Sequence, residues 1–428
     1  MTIILLIVWG IGMMGLARWL CGYWLNHLSL YTATWTLSLG AYELQLIRYN
    51  SIGPEAWLYF FMAWIAIYVG TAVAMVLGNR LPKPPSADSL RRLRMVILLF
   101  SVAGFVSCIV LARQIMREVD PNLLVAMTVG APKIYAAAFQ ETGEFVGLAY
   151  LGFLPYAASA LAGAYAARKG RIDWVSILPL LVATVTGILS VSRFGMLLAV
   201  TLFLMSLYLT PKNVRFSVTR VQKTVLVLIC IAGFGFVTLT RTDLSGSVQN
   251  QSATLNRISD WMPLAPSFYF YVSATPVGLS EYLRDSSREA NLPWGRYTFA
   301  SLYRFFSKLG LATYVPFHQQ FYSVPEAINT GTYLREVHSD FGTVGVFFFP
   351  FLLGMVAQWL SAFRKNLVRI MFLAHLYVVV LFSVSNLVIT SGQWFQSVVV
   401  SLVAAAIIER VRPAGATGLA KSVARSTP

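Results

Sequence analysis

The sequence predicts an all-α polytopic membrane protein of about 11 transmembrane helices, with one large outer loop that carries short interfacial helices. Three observations predict it: the composition, the number of long apolar runs, and the placement of Lys and Arg between those runs. Of the 428 residues, 57% are apolar and only 12% are charged, and the mean hydropathy is +0.66. Soluble domains carry about 45–50% apolar and about 25% charged residues. The excess excludes an ordinary soluble enzyme, a disordered chain and a nucleic-acid binder, and puts most of the chain in lipid.

A hydrocarbon core about 30 Å thick takes about 20 apolar residues per helix. Runs of that kind lie at 2–22, 28–48, 55–78, 95–113, 144–167, 173–190, 194–210, 224–240, 342–361, 370–390 and 393–409. Residues 173–210 could form one long run. We divide it at Ser190-Val191-Ser192-Arg193, because a polar knot there predicts a tight turn between two spans. The first run has no basic residue before it and Arg18 after it. It is therefore read as a retained helix with its N-terminus outside, since a cleaved signal peptide needs a positive leading segment. Cys21, Cys108 and Cys230 all fall in apolar stretches and read as small buried hydrophobes rather than disulfide partners or metal ligands.

The net charge of +16 has an explanation that involves no polyanion. Five connecting segments are basic: 79–94 (Arg80, Lys83, Arg91, Arg92, Arg94), 168–171 (Arg168, Lys169, Arg171), 211–223 (Lys212, Arg215, Arg220, Lys223), 364–369 (Arg364, Lys365, Arg369) and the tail from 410 (Arg410, Arg412, Lys421, Arg425). They hold 19 of the 33 Lys and Arg residues. With eleven spans all five face one side, which the positive-inside rule makes cytoplasmic, with the N-terminus outside and the C-terminus inside. An error of one span would scatter them over both faces.

The expected organisation is helices one to eight over 1–240, a large outer loop at 241–341, helices nine to eleven over 342–410, and a basic cytoplasmic tail at 411–428. The outer loop is too long for a passive connector. It holds eight basic and eight acidic residues and is rich in aromatics, as in Phe268-Tyr269-Phe270-Tyr271 and Tyr303-Arg304-Phe305-Phe306. Its prolines divide it into short pieces. Residues 297–310 place aromatics, Arg304 and Lys308 at helical spacing, which predicts a helix lying in the interface. The small, polar and basic last fifteen residues read as disordered.

No P-loop, GxSxG, HExxH or Cys/His metal spacing occurs, and His is found only at 27, 318, 338 and 375. No metal and no cofactor is expected. The candidate chemistry lies at the outer face. Arg193 sits in the turn between spans six and seven. An Arg in the bilayer core costs roughly +2.5–3.5 kcal/mol on insertion scales, so it reads either as an anion site, for which a guanidinium fork is suited, or as a snorkelling side chain. Residues 333–345 lead straight into span nine, and on a helix Arg335, His338 and Ser339 would share a face. That joins a cation, a hydroxyl and an imidazole able to accept a proton near neutral pH. The alternative is a helix start, with Ser339 or Asp340 as N-cap; both readings are compatible. Arg241 ends span eight as a second phosphate clamp or as an anchor. Arg296 and Arg304 sit in the aromatic loop, where interfacial packing is the plainer reading. Trp294 and Tyr297 are candidates for sugar stacking, although aromatic belts are common at interfaces.

The layout resembles the bacterial O-antigen polymerases, the oligosaccharide repeat-unit polymerase (Wzy-type) family. The likeness rests on the run of spans with one large late outer loop, on Ser192-Arg193-Phe194-Gly195 opening span seven, and on His338-Ser339-Asp340-Phe341-Gly342-Thr343-Val344-Gly345, with Gly354 further on. It implies a GT-C-like, metal-independent glycosyltransferase in the bacterial inner membrane. Its donor would be an undecaprenyl-diphosphate-linked glycan chain and its acceptor a lipid-linked repeat unit, with membrane lipid around them and a chain-length regulator protein as a further partner. The residues supply matching parts: Arg193 and Arg241 for the leaving charge, His338 as base with Asp340 second, and Arg335 to hold a phosphate or orient the base. An O-antigen ligase moving the glycan to a lipid core, a non-enzymatic lipid-linked glycan transporter and a scaffold are the competing readings. A transporter predicts charges lining mid-membrane helices and repeated halves, and neither is evident here.

Overall fold

The computed structural model describes residues 3–77, 90–128, 148–190, 192–211, 250–263, 265–285, 294–312, 321–328, 330–362 and 366–410. The eighth apolar run, Arg241 and the tail beyond Arg410 lie outside the described residues. Among the described residues the regular structure is helical, apart from one antiparallel ladder of β1 (Tyr322–Ser323) with β2 (Ala327–Ile328). Among the described residues ten helices cover the other ten apolar runs in order. They are α1 (Ile3–Cys21), α2 (His27–Leu44), α3 (Pro54–Leu77), α4 (Leu90–Glu118), then, after the short α5 (Leu123–Thr128), α6 (Leu154–Lys169), α7 (Trp174–Leu189) and α8 (Arg193–Leu209). The later ones are α13 (Thr332–Ser361), α14 (Leu367–Phe382) and α15 (Gly392–Arg410); α5 belongs to none of the runs. Between α8 and α13 the described residues form four short helices: α9 (Ala253–Ser259), α10 (Ala265–Ser273), α11 (Thr275–Arg284) and α12 (Ala300–Lys308).

Five of these helices, α1, α3, α4, α13 and α15, are long and apolar enough to cross a membrane, and α7, α8 and α14 are shorter apolar helices. The protein is an all-α membrane protein. On α1 the side chains of Ile4, Leu5, Val8 and Ile11 stand exposed, a state that suits lipid rather than water. By contrast α6 is buried without a break from Leu154 to Ala167. Its small residues let neighbours close in: a Cβ on Gly163 would lie 2.2 Å from the Phe203 carbonyl oxygen of α8.

Local signals set the helix ends. Asn26 caps α2 by accepting from Ser29 N at 2.8 Å, and its amide donates to the Ala17 carbonyl of α1 at 3.2 Å. Asp173 opens α7 in a capping box with Ser176, satisfying donors that a helix start leaves open. The division at 190–192 is present: α7 ends at Leu189, α8 begins at Arg193, and Ser192 N donates to the Gly187 carbonyl at 2.8 Å.

The connectors sort onto two faces. Residues 45–53 meet the segment from 250 onward, with Ile47 bridged to Gln251, Arg48 N donating to Asn250 O at 3.1 Å and Gly53 N to Ser280 Oγ at 2.9 Å. Residues 383–391 meet the same segment, with Thr275 Oγ1 donating to Val384 O at 2.5 Å and Ser301 Oγ to Thr390 O at 2.7 Å. At the other ends of the helices, Arg92 Nη1 donates to Ile408 O at 3.2 Å and Leu367 N to Glu409 Oε1 at 2.5 Å.

Within the 241–341 segment, Leu255, Phe270, Ala274, Val277, Leu279 and Leu283 belong to the same apolar core as the long helices. Ahead of the apolar run at 342–361 the chain is already helical: α13 starts at Thr332, and Gly342, whose φ of 60° and ψ of −154° interrupt it, divides it into two helices, the second covering that run. The expected interfacial stretch at 297–310 contains α12, which buries Ala300 and Ser301 while exposing Phe305 and Phe306.

Candidate functional site

The first turns of α13, up to the Gly342 bend, bring together most of the residues singled out in the sequence. Asp340 is 0% exposed. One of its oxygens accepts from Tyr297 N at 3.0 Å and the other from Thr298 N. Neither it nor Ser339 caps a helix start as expected. Asp340 ties α13 to the turn at 294–299, and Ser339 Oγ donates back to the Arg335 carbonyl at 2.9 Å. With both oxygens held by backbone N–H groups, Asp340 acts as a clamp between α13 and that turn. Arg296 is exposed on the clamped turn, one residue before Tyr297. Trp294 is 77% exposed on the same turn, with its ring 6.4 Å from that of Phe341.

His338 is half-buried between two tyrosines. Tyr282 of α11 places its hydroxyl 3.2 Å from His338 Nδ1 and 2.9 Å from Ser339 Oγ. The Tyr59 ring of α3 lies against the imidazole, with centroids 5.4 Å apart and planes at 36°. Tyr59 Oη donates to Glu55 Oε1 at 3.0 Å and contacts Thr343 Oγ1 at 2.9 Å. Thr343 belongs to the His338–Gly345 stretch singled out above, but none of Tyr59, Tyr282 and Glu55 stands out in the sequence. Each is an ordinary interface residue type, and its only signal is position at a helix end on the loop-bearing face.

Arg335 is buried and donates through Nη2 to Glu336 Oε1 at 2.9 Å. Its Nη1 is buried with no hydrogen-bond partner among the described residues. A charged donor in that state is costly unless something accepts from it. Tyr322 stands beside this pair. Its phenol donates to Asp285 Oδ2 at 3.3 Å. Burial first, and then the Asp285 charge, push its pKa up to about 12 against the opposing pull of Arg335.

Arg193 meets the same segment one helix earlier. It is 7% exposed, its Nη2 donates to Tyr271 Oη at 2.5 Å, and its guanidinium carbon lies 4.4 Å from the centre of the Tyr271 ring of α10. A snorkelling chain would run to water; this one is folded onto a partner. Phe194 packs edge-on to Phe382, and the bare Cα of Gly195 admits the Tyr156 hydroxyl, which would lie 2.4 Å from a Cβ. Arg335, His338 and Asp340 thus share the first turns of α13 and Arg296 stands on the turn that Asp340 holds, whereas Arg193 stands at the start of α8 against Tyr271 of α10; Arg241 lies outside the described residues. Among the described residues no three His, Cys, Asp or Glu side chains converge as a metal site. Comparison with protein-family models, with curated proteins and with solved structures finds no match.

Proposed function

We propose that the protein is a membrane glycosyltransferase that polymerises undecaprenyl-diphosphate-linked oligosaccharide repeat units at the outer leaflet of the bacterial inner membrane. The observation that carries this reading is the sharing of one helix end by Arg335, with a buried N–H open to an anion, and His338, held by two tyrosines. A transfer between two lipid-linked glycans needs both parts. The acceptor hydroxyl loses its proton to His338 as its oxygen bonds to the anomeric carbon of the donor sugar. The bond from that carbon to the diphosphate breaks, and the lipid diphosphate departs with the electron pair. Cations in a place shielded from water stabilise the charge that develops there, and Arg335, with Arg193 and Arg241, supplies them. Arg296 and Trp294 are placed to meet sugar on the exposed side.

The reading takes eleven spans, with the N-terminus outside and the C-terminus in the cytoplasm. It is supported by the two connector faces: the segments at 45–53, 190–192 and 383–391 fall on the outer side in that topology, and Arg92, Arg369 and Arg410 on the inner side.

The test is complementation of a deletion strain with His338→Gln, Arg193→Ala or Arg335→Ala. Removal of a general base costs about 10²–10⁴-fold in rate. Surface glycan should then appear as single repeat units instead of a ladder, with each variant at normal abundance. An unchanged ladder would remove these residues from the mechanism. Loss of all glycan from the core would assign the site to a ligase instead.

A further inference from the structure

We infer that Glu336 is a positioning residue for Arg335: it holds one edge of the guanidinium and leaves the other for the departing diphosphate, and its charge keeps that hold loose enough for the product to leave. The inference rests on the reading of Arg335 as a cation that meets the diphosphate.

Arg335 and Glu336 are neighbours in the chain, and neighbours on a helix do not face each other. Helical spacing therefore does not make their contact. Arg335 Nη2 nonetheless donates to Glu336 Oε1 at 2.9 Å. The path of the arginine stem allows it. Side chains on a helix lean over the turn before their own Cα, and the turn before Arg335 holds Gly331. A Cβ on Gly331 would lie 3.0 Å from Arg335 Cδ, so the stem runs over a bare glycine before the fork turns to Glu336. The two side chains are 6% and 1% exposed. Taking both charges out of water costs about as much as their attraction returns, and an apolar pair of similar volume is often the more stable choice. A pair kept under those terms points to a use other than stability.

The use follows from the shape of the fork. A guanidinium is planar, and its donors keep fixed directions relative to one another. Tying Nη2 to Glu336 therefore restrains the direction of Nη1, which has no hydrogen-bond partner among the described residues. An anion taken by Nη1 meets a donor already oriented, so little side-chain freedom is lost on binding. Glu336 also sets the strength of the hold. An anion on Nη1 shares the guanidinium with the carboxylate, and the two negative groups repel each other in a place where water screens them weakly. A transferase has to release the lipid diphosphate before its next turnover, and a buried arginine without a counter-charge would retain it.

The experiment is titration of the full chain in lipid nanodiscs with farnesyl diphosphate, a short prenyl diphosphate, and with farnesol as the uncharged control. Wild type is compared with Arg335→Ala, Glu336→Gln and Glu336→Asp, with helix content recorded for each. Glu336→Gln keeps an oxygen for Nη2 and drops the charge, so it should bind the diphosphate on the order of tenfold more tightly than wild type, with farnesol unaffected. Glu336→Asp keeps the charge and draws the oxygen back by one methylene, so it should bind no more tightly than wild type. A purely structural glutamate predicts otherwise, because a loosened site does not gain affinity for its ligand. If Glu336→Gln melts too low to titrate, the same comparison is read as the rise in melting temperature that the probe produces: a larger rise than in wild type supports the inference, and an equal or smaller one overturns it. Glu336→Gln binding no tighter than wild type, or Glu336→Asp tightening with it, while Arg335→Ala loses binding, overturns the inference and leaves Arg335 as a holder of the diphosphate. Wild-type binding in Arg335→Ala removes Arg335 from the diphosphate and takes the inference with it.

Discussion

Asp340 and His338 stand two residues apart and are put to different uses by their surroundings. The carboxylate faces two backbone N–H groups and is sealed from water, whereas the imidazole faces two phenols and keeps partial exposure. Asp340→Asn presents a donor to one of those N–H groups and should cost roughly 1–3 kcal/mol. A melting temperature lowered by several degrees, with glycan chains still produced at low growth temperature, is the expected outcome; an unchanged melting temperature with no product would make Asp340 a reacting group. At Arg193 the shape of the cation matters as well as its charge. The guanidinium both stacks on Tyr271 and donates to its hydroxyl, a combination that an ammonium does not reproduce. Arg193→Lys should therefore behave closer to Arg193→Ala than to wild type in the ladder assay. Full activity in Arg193→Lys would reduce the role to charge alone.

At the level of elements, the Gly342 bend places the site. Its φ and ψ lie in a region essentially restricted to glycine, where other residues pay about 1–3 kcal/mol. Gly342→Ala should straighten α13 or leave it strained, and in either case move His338 and Asp340 relative to Tyr59 and the 294–299 turn. Weaker thermal stability together with a shortened or absent glycan ladder is expected; a normal ladder would show that the bend does not set the site.

Across the whole molecule, α3 and α13 are joined by a reciprocal glycine contact. A Cβ on Gly70 would lie 1.9 Å from the Phe351 carbonyl oxygen, and one on Gly354 would lie 2.1 Å from that of Ile67. This contact keeps Tyr59 of α3 on His338 of α13. Gly354→Leu should spread the pair, lowering both thermal stability and glycan product, while Gly12→Leu, at a glycine of α1 with open space around it, should change neither. Equal behaviour of the two variants would dissociate the packing from the site. The apolar runs and the break before Arg193 were legible in the sequence, because hydropathy is a property of short stretches and acts one stretch at a time. His338 and Arg335 were legible for the same reason, since helical spacing brings near neighbours together. Tyr282, 56 residues from His338 in the chain, and Tyr59, on another helix, were not: which tyrosine meets an imidazole depends on how distant helices settle against one another. Burial of α10 and α11 in the common core, and the hold of two backbone N–H groups on Asp340, were likewise decided only when packing fixed which groups could reach each other.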